Sequence, residues 1–168
     1  MLTEPWQDAL SERLAAEFAE WRLQFLSYHG QRFLIAPPPS LPPLLRFLKT
    51  EEEFDYLVDL TAVDYPNREK RFELVYILYS FSRNERIRIK AEIAEGERPQ
   101  SSAAIYPGAN WLEREVFDMF GVRFAGHPDL KRILLPDEWT GHPLRKDYSI
   151  NQMDNRWVRE NLGIDSGQ

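Results

Sequence analysis

The chain has 168 residues, 43% hydrophobic and 29% charged, with a formal net charge of -6. That mix reads as one ordinary globular domain, long enough to bury roughly two-thirds of its unfolded surface. It contains no cysteine, which excludes disulfides, a thiol nucleophile, Cys-ligated zinc and any iron–sulfur cluster held by its own thiolates.

In chain order, Trp6, Leu10, Leu14, Phe18 and Trp21 recur at helical spacing, with Glu12, Arg13, Glu17 and Glu20 outside, and predict a first helix. Two strand-like runs follow, Trp21–Tyr28 and Arg32–Ala36, and the His29-Gly30 break between them is a hairpin signal. Pro37-Pro38-Pro39-Ser40 makes a stiff link into a second helix. Ser40 is its expected cap, Pro42 falls in its first turn, and Leu41, Leu44, Leu45 and Leu48 form its apolar face. Pro39-Ser40-Leu41-Pro42 also matches a minimal polyproline motif, but its place directly before a helix favours a rigid turn.

Three more strands are expected. Phe54, Tyr56, Val58 and Leu60 alternate with Asp55 and Asp59. Phe72–Phe81 is apolar on both faces, which predicts a central strand covered on both sides or by a neighbouring subunit. Glu85–Ile93 alternates cleanly, placing Arg86, Arg88 and Lys90 on a solvent face rather than in a phosphate-binding stripe. Pro99–Gly108 is a loop or short helix. Asn110 then stands where a cap would, before a helix to Phe120 with Leu112, Val116, Met119 and Phe120 on one face and Gly121 as its stop.

From Val122 to Gln168 no period persists, yet Ile133, Leu134, Leu135, Trp139, Tyr148 and Trp157 are more anchors than a disordered tail needs. The favoured reading is a segment laid along a partner; the other is one folded back on its own domain. The fold class is therefore α+β: a two-layer α-β-β-α-β-β-β domain with a mainly antiparallel mixed sheet and helices on one face. Residues 1–121 form that domain, including the 110–120 helix, and 122–168 an extended partner-binding segment.

No apolar run approaches the ~20 residues of a membrane span, and Met1 to Ala16 carries acids throughout, unlike a secretory signal. Acids outnumber bases ten to five in residues 1–60 and match them seven to seven in 122–168. No region has the basic excess of a nucleic-acid binder.

The polar block 110–148 holds two near-copies of one phrase, Gly126-His127-Pro128 and Gly141-His142-Pro143. With Asp129 or Asp147 the two histidines sketch a metal site and a small metal-dependent hydrolase. The spacing is a weak signal, and a histidine before proline suits a structural bridge through a ring nitrogen. Glu113 and Glu115 point about 200° apart on a helix and cannot converge, while Arg114 has the spacing of a helical ion pair with Asp118. Arg123, Lys131, Arg132, Arg145 and Lys146 interleave with Asp129, Asp137, Glu138 and Asp147. That mixture suits a polar protein interface. No nucleotide-binding or acyl-transfer motif accompanies it.

The run Leu112-Glu113-Arg114-Glu115, Asp118-Met119-Phe120-Gly121, Gly126 to Leu134 and Trp139 to Tyr148 resembles the C subunit of the proton-pumping NADH:quinone oxidoreductase, respiratory complex I. The family includes the J subunit of the photosynthetic complex and counterparts in membrane-bound hydrogenases. The resemblance implies a component of the hydrophilic arm, peripheral on the cytoplasmic side of the inner membrane, with no catalytic residue and no cofactor of its own. It implies packing against the quinone-site D subunit and neighbouring iron–sulfur subunits, in a complex that contains iron–sulfur clusters and FMN and uses NADH and quinone. It carries an interface role onto Glu113, Arg114, Glu115, Asp118, His127, Asp129, Arg132, His142, Arg145, Lys146 and Asp147. Ser149 stands where the family often has proline, and residues 149–168 match no tail of the family. A related hydrogenase or ferredoxin-fed complex is the alternative assembly.

Overall fold

The computed structural model describes residues 3–149 and 155–163. A short strand β1 (Glu4–Pro5) precedes helix α1 (Ala9–Glu17), and the hairpin β2 (Gln24–Tyr28) and β3 (Gln31–Ile35) follows. Helix α2 (Leu41–Thr50) leads to β4 (Tyr56–Asp64), β5 (Phe72–Ser80) and β6 (Glu85–Ile93). Helices α3 (Ala109–Phe120) and α4 (Asn155–Leu162) complete the described elements. The strands form one sheet in the order β1-β2-β3-β6-β5-β4, antiparallel except for β3 beside β6. The α+β expectation holds.

One face of that sheet carries the core. Leu57, Leu60, Leu74, Tyr76, Leu78, Ile87, Ile89 and Ile93 join Leu10 and Leu14 of α1, the four leucines of α2, and Val116, Met119 and Phe120 of α3. Each fully buried leucine contributes about 2 kcal/mol relative to exposure. Glu73, Val75 and Ile77 of β5 lie on the opposite face, outside that cluster. As expected, β5 lies inside the sheet, between β6 and β4, and Val75, on the face turned from that cluster, is only 8% exposed. It lies opposite Lys90, whose ammonium reaches Glu73 at 2.8 Å while its stem shields the strand surface. Arg86, Arg88 and Lys90 do share this face, opposite Tyr79, Ile77 and Val75.

Local departures have local causes. Trp6 is outside α1: Asp8 and Ser11 cap each other reciprocally and start the helix at Ala9. Trp6 instead meets Phe25 edge-on, ring centres 5.5 Å apart. Ser40 does not cap α2 through its side chain; its hydroxyl donates to Pro37 O, closing a 3-10 turn over Pro38–Ser40. Helix α3 starts at Ala109 with Gly108 in the cap position, two residues before the predicted cap Asn110. In β4 the pairing register slips between Leu57 and Asp59. This bulge breaks the predicted alternation, because an extra residue reverses side-chain parity. Leu57 turns inward, while Tyr56 and Val58 stand 51% and 37% exposed.

Candidate functional site

Helix α3 presents charge to the interior as well as apolar bulk: Glu113, Arg114 and Asp118 are buried beside Val116, Met119 and Phe120. Asp118 is fully enclosed. Its Oδ2 accepts from the backbone N–H of Ile133, Leu134 and Leu135 at 3.0, 2.8 and 3.0 Å, and its Oδ1 from Arg132 Nη1. Burial pushes this carboxyl's pKa up, but those four donors outweigh it and hold the group below the usual carboxylate value. Arg132 fans onward through Nη2 to the carbonyls of Trp139 and Gly141, both at 2.9 Å.

The expected Arg114–Asp118 ion pair is replaced by this arrangement. Arg114 instead donates to the carbonyls of Lys131 and Arg132 at 3.2 and 3.1 Å. A tertiary arginine with a rigid fork outcompetes the helical neighbour, since a surface-type i,i+4 pair is worth only about 0.5 kcal/mol.

Glu113 is likewise enclosed. It accepts from Ser101 Oγ at 2.6 Å and from both N–H and Oγ of Ser102 at 2.7 Å. Beside it, His127 Nε2 sits 3.0 Å from Asn110 O, and His127 Nδ1 accepts from Asp129 N–H at 3.0 Å. The proton on the ring is therefore at Nε2, which donates to the carbonyl.

The second histidine does the matching task at the other end of the helix. His142 Nδ1 donates to Asp118 O at 2.9 Å, and its ring lies on Gly121, the left-handed stop of α3. Burial, reinforced by Arg132 and Arg145, lowers the His142 pKa despite the carbonyl bond that favours protonation. The two Gly-His-Pro phrases thus brace the first and last turns of α3, at Asn110 and Asp118, roughly 12 Å apart along the helix. They do not converge. Among the described residues, no three His, Asp or Glu side chains group as a metal site would require.

Residues 142–147 return to the sheet. Arg71 grips Asp64 through Nε and Nη2 at 2.7 and 2.9 Å, and also reaches Glu95 and Asp147. Arg145 pairs with the same Glu95 and Asp147, and Lys146 N–H donates to Asp64 at 2.7 Å. This cluster latches the segment onto β4, β5 and the end of β6. Hydrogen bonds to Arg145 and then Arg71 outweigh a small burial effect and hold Asp147 down at about 2. Hydrogen bonds from Arg71 and Arg145 likewise lower Asp64 and Glu95 respectively.

A depressed carboxylate stabilises the fold fully above its unfolded pKa and loses that contribution as pH falls through its folded one. The latch is therefore expected to weaken as pH falls from about 4 to about 2, where Asp147 protonates. Thermal midpoints measured across that range should fall, and Asp147→Asn should flatten the lower part of the fall. An equal fall in the variant removes Asp147 from the latch.

Of the eleven interface candidates, Glu113 and Asp118 are thus enclosed by their own chain, and Arg114, Arg132, His127 and His142 bind its backbone. Arg145, Asp147 and the backbone of Lys146 form the latch, leaving Glu115 exposed and the Asp129 carboxylate paired with Lys131 at 2.7 Å. As far as residue 149 the segment is also tied to its own domain through these contacts. The predicted contacts of 150–154 and 164–168 lie outside the described residues. Asp64, Arg71, Glu95, Ser101 and Ser102 are not legible as site residues, because each answers a charge or amide far away in sequence. Large apolar side chains also stand out beside this frame: Trp111, Leu134 and Leu144 are 50–61% exposed.

The sequence model described as "Respiratory-chain NADH dehydrogenase, 30 Kd subunit" matches residues 34–154. The C subunit of NADH-quinone oxidoreductase from Ruegeria sp. (strain TM1040) is 44% identical over 149 residues, 88% of this chain and 74% of that one. The joined C/D subunit of the same enzyme from Bdellovibrio bacteriovorus is 43% identical over 142 residues, 84% of this chain, which spans only 25% of that relative's length. Among solved structures, a chain of the membrane-bound sulfane sulfur reductase, an archaeal respiratory membrane complex, superposes with a TM-score of 0.74 at 25% identity. The match covers 92% of this chain and 90% of that one. The chain belongs to the respiratory-chain NADH dehydrogenase 30 Kd subunit family, the family of the NADH-quinone oxidoreductase C subunit.

Proposed function

We propose that this chain is a non-catalytic scaffold in the hydrophilic peripheral arm of a complex I-type NADH:quinone oxidoreductase. It packs against the quinone-site D subunit and supports electron transfer to quinone coupled to proton translocation. The observation that carries the reading is how the family block is used. Its buried charges engage one another and the backbone, which fixes a surface. Trp111, Leu134 and Leu144 stand out of that surface as anchors for a partner. The exposed Glu115, Asp129 and the Lys146 side chain supply its polar rim.

A relative whose name joins C and D in one chain supports the D subunit as the neighbour. The complex would supply iron–sulfur clusters and FMN and would use NADH and quinone; this chain would hold none of them. No helix among the described residues is long and apolar enough to cross a membrane, which fits a peripheral place on the cytoplasmic side. The likeness to a chain of the sulfane sulfur reductase supports a second reading, the same scaffold in a related respiratory complex with another electron donor.

Mild-detergent purification of the tagged chain from its native cell tests both readings. Recovery with a quinone-site partner, iron–sulfur subunits and an NADH-oxidising flavoprotein is the expected result. The same core without the flavoprotein selects the second reading. A lone chain, under conditions that keep respiratory complexes intact, defeats both.

A further inference from the structure

A cleft of about 280 Å³ opens between the end of β6, the turn after it and the C-terminal end of α3. Phe72 and Ile93 supply its apolar lining, and Glu95, Glu97, Arg98, Arg123 and Arg145 its charged one. The two acids are occupied within the chain. Glu95 binds Arg71 and Arg145, and Glu97 accepts from Ala94 N–H at 2.9 Å. Arg145 is held by Glu95 and Asp147.

The other two guanidiniums of the lining have no such partner. Arg98 and Arg123 are both exposed, and neither guanidinium has an ion pair or hydrogen bond among the described residues. Arg123 only lies over the Phe117 ring, 5.1 Å from its centre. We propose that this cleft receives a carboxylate side chain of a neighbouring polypeptide, clasped by Arg98 and Arg123.

The proposal rests on the scaffold reading and adds to it a place and a chemistry. In a chain of net charge -6, a lining of three arginines against two glutamates makes this concavity locally positive. The guanidinium fork matches a carboxylate in plane and spacing. The apolar lining from Phe72 and Ile93 lowers the local dielectric, so the pair is worth more there than on open surface. Close to the end of α3, Arg123 also answers the negative pole of that helix. That role needs no second arginine, and Arg98, on a separate turn, has no such task.

The test compares the tagged wild-type chain with Arg98→Ala/Arg123→Ala, each purified from its native cell at physiological salt. Partner recovery is expected to fall about tenfold in the double variant, the loss of roughly two rim ion pairs. Arg98→Lys/Arg123→Lys should restore most of it. The thermal midpoint of the full chain should stay within about 2 °C of wild type, since neither side chain is buried. On the lysine variant, a zero-length carbodiimide should join the new amines to an Asp or Glu of another polypeptide.

Unchanged recovery, cross-links confined to this chain, or recovery lost only alongside a lowered midpoint would each overturn the proposal. So would unchanged recovery with lost binding to phosphatidylglycerol vesicles, which assigns the cleft to a lipid phosphate instead. Wild-type chain recovered alone defeats the scaffold reading and the cleft together; a silent double variant in an intact complex defeats the cleft only.

Discussion

Asp118→Ala should destabilise the chain by about 4 kcal/mol, the largest effect expected of any single substitution in the block. The carboxylate is fully enclosed and takes three backbone N–H groups and one guanidinium. Alanine strands all four donors at once, and Arg132, whose side chain is 12% exposed, loses its counter-charge. Asp118→Asn keeps the shape and one acceptor but loses the charge opposite Arg132, so about half the penalty is expected. Denaturant melts of the two variants check the order. Equal midpoints for alanine and wild type would mean that residues 131–135 are held by something other than this carboxylate.

Gly121→Ala should cost about 3 kcal/mol through two separable terms. The backbone there has φ +80°, which charges any side chain roughly 1 kcal/mol. A Cβ would also lie 2.7 Å from His142 Cδ2 and 2.8 Å from Nε2, so the ring must leave and its bond to Asp118 O must break. Gly30→Ala is the control, because φ is +72° there and nothing lies within 4 Å of the added carbon. It should show the backbone term alone. If the two glycines respond alike in thermal melts, the histidine is not packed on α3 as described.

The helices, the hairpin and the sheet's inward faces are readable because their signals are local: periodicity, a two-residue turn at His29-Gly30, a glycine stop. The failures come where one residue changes the phase or a distant partner wins. Trp6 mimics helical spacing to Leu10, but the Asp8–Ser11 cap settles where α1 begins. The bulge beside Leu57 leaves no mark in an alternating run that reads equally well in either register. In the block 110–148 the residue types are legible and their partners are not. Spacing pairs Arg114 with Asp118, whereas Arg132, fourteen residues on, takes the carboxylate. Asp64 and Lys146, 82 positions apart, meet only once the sheet has formed.

The slip in β4 bears on solubility. β4 is the last strand of the sheet, so its outer edge has no strand partner among the described residues, and nearby Tyr56 and Val58 stand exposed. A regular edge along all of Tyr56–Asp64 would be a template for self-addition into larger aggregates. The bulge twists the strand and breaks the even run of donors and acceptors, so an incoming strand finds no continuous ladder. An edge that is hard to copy keeps one chain from adding to another.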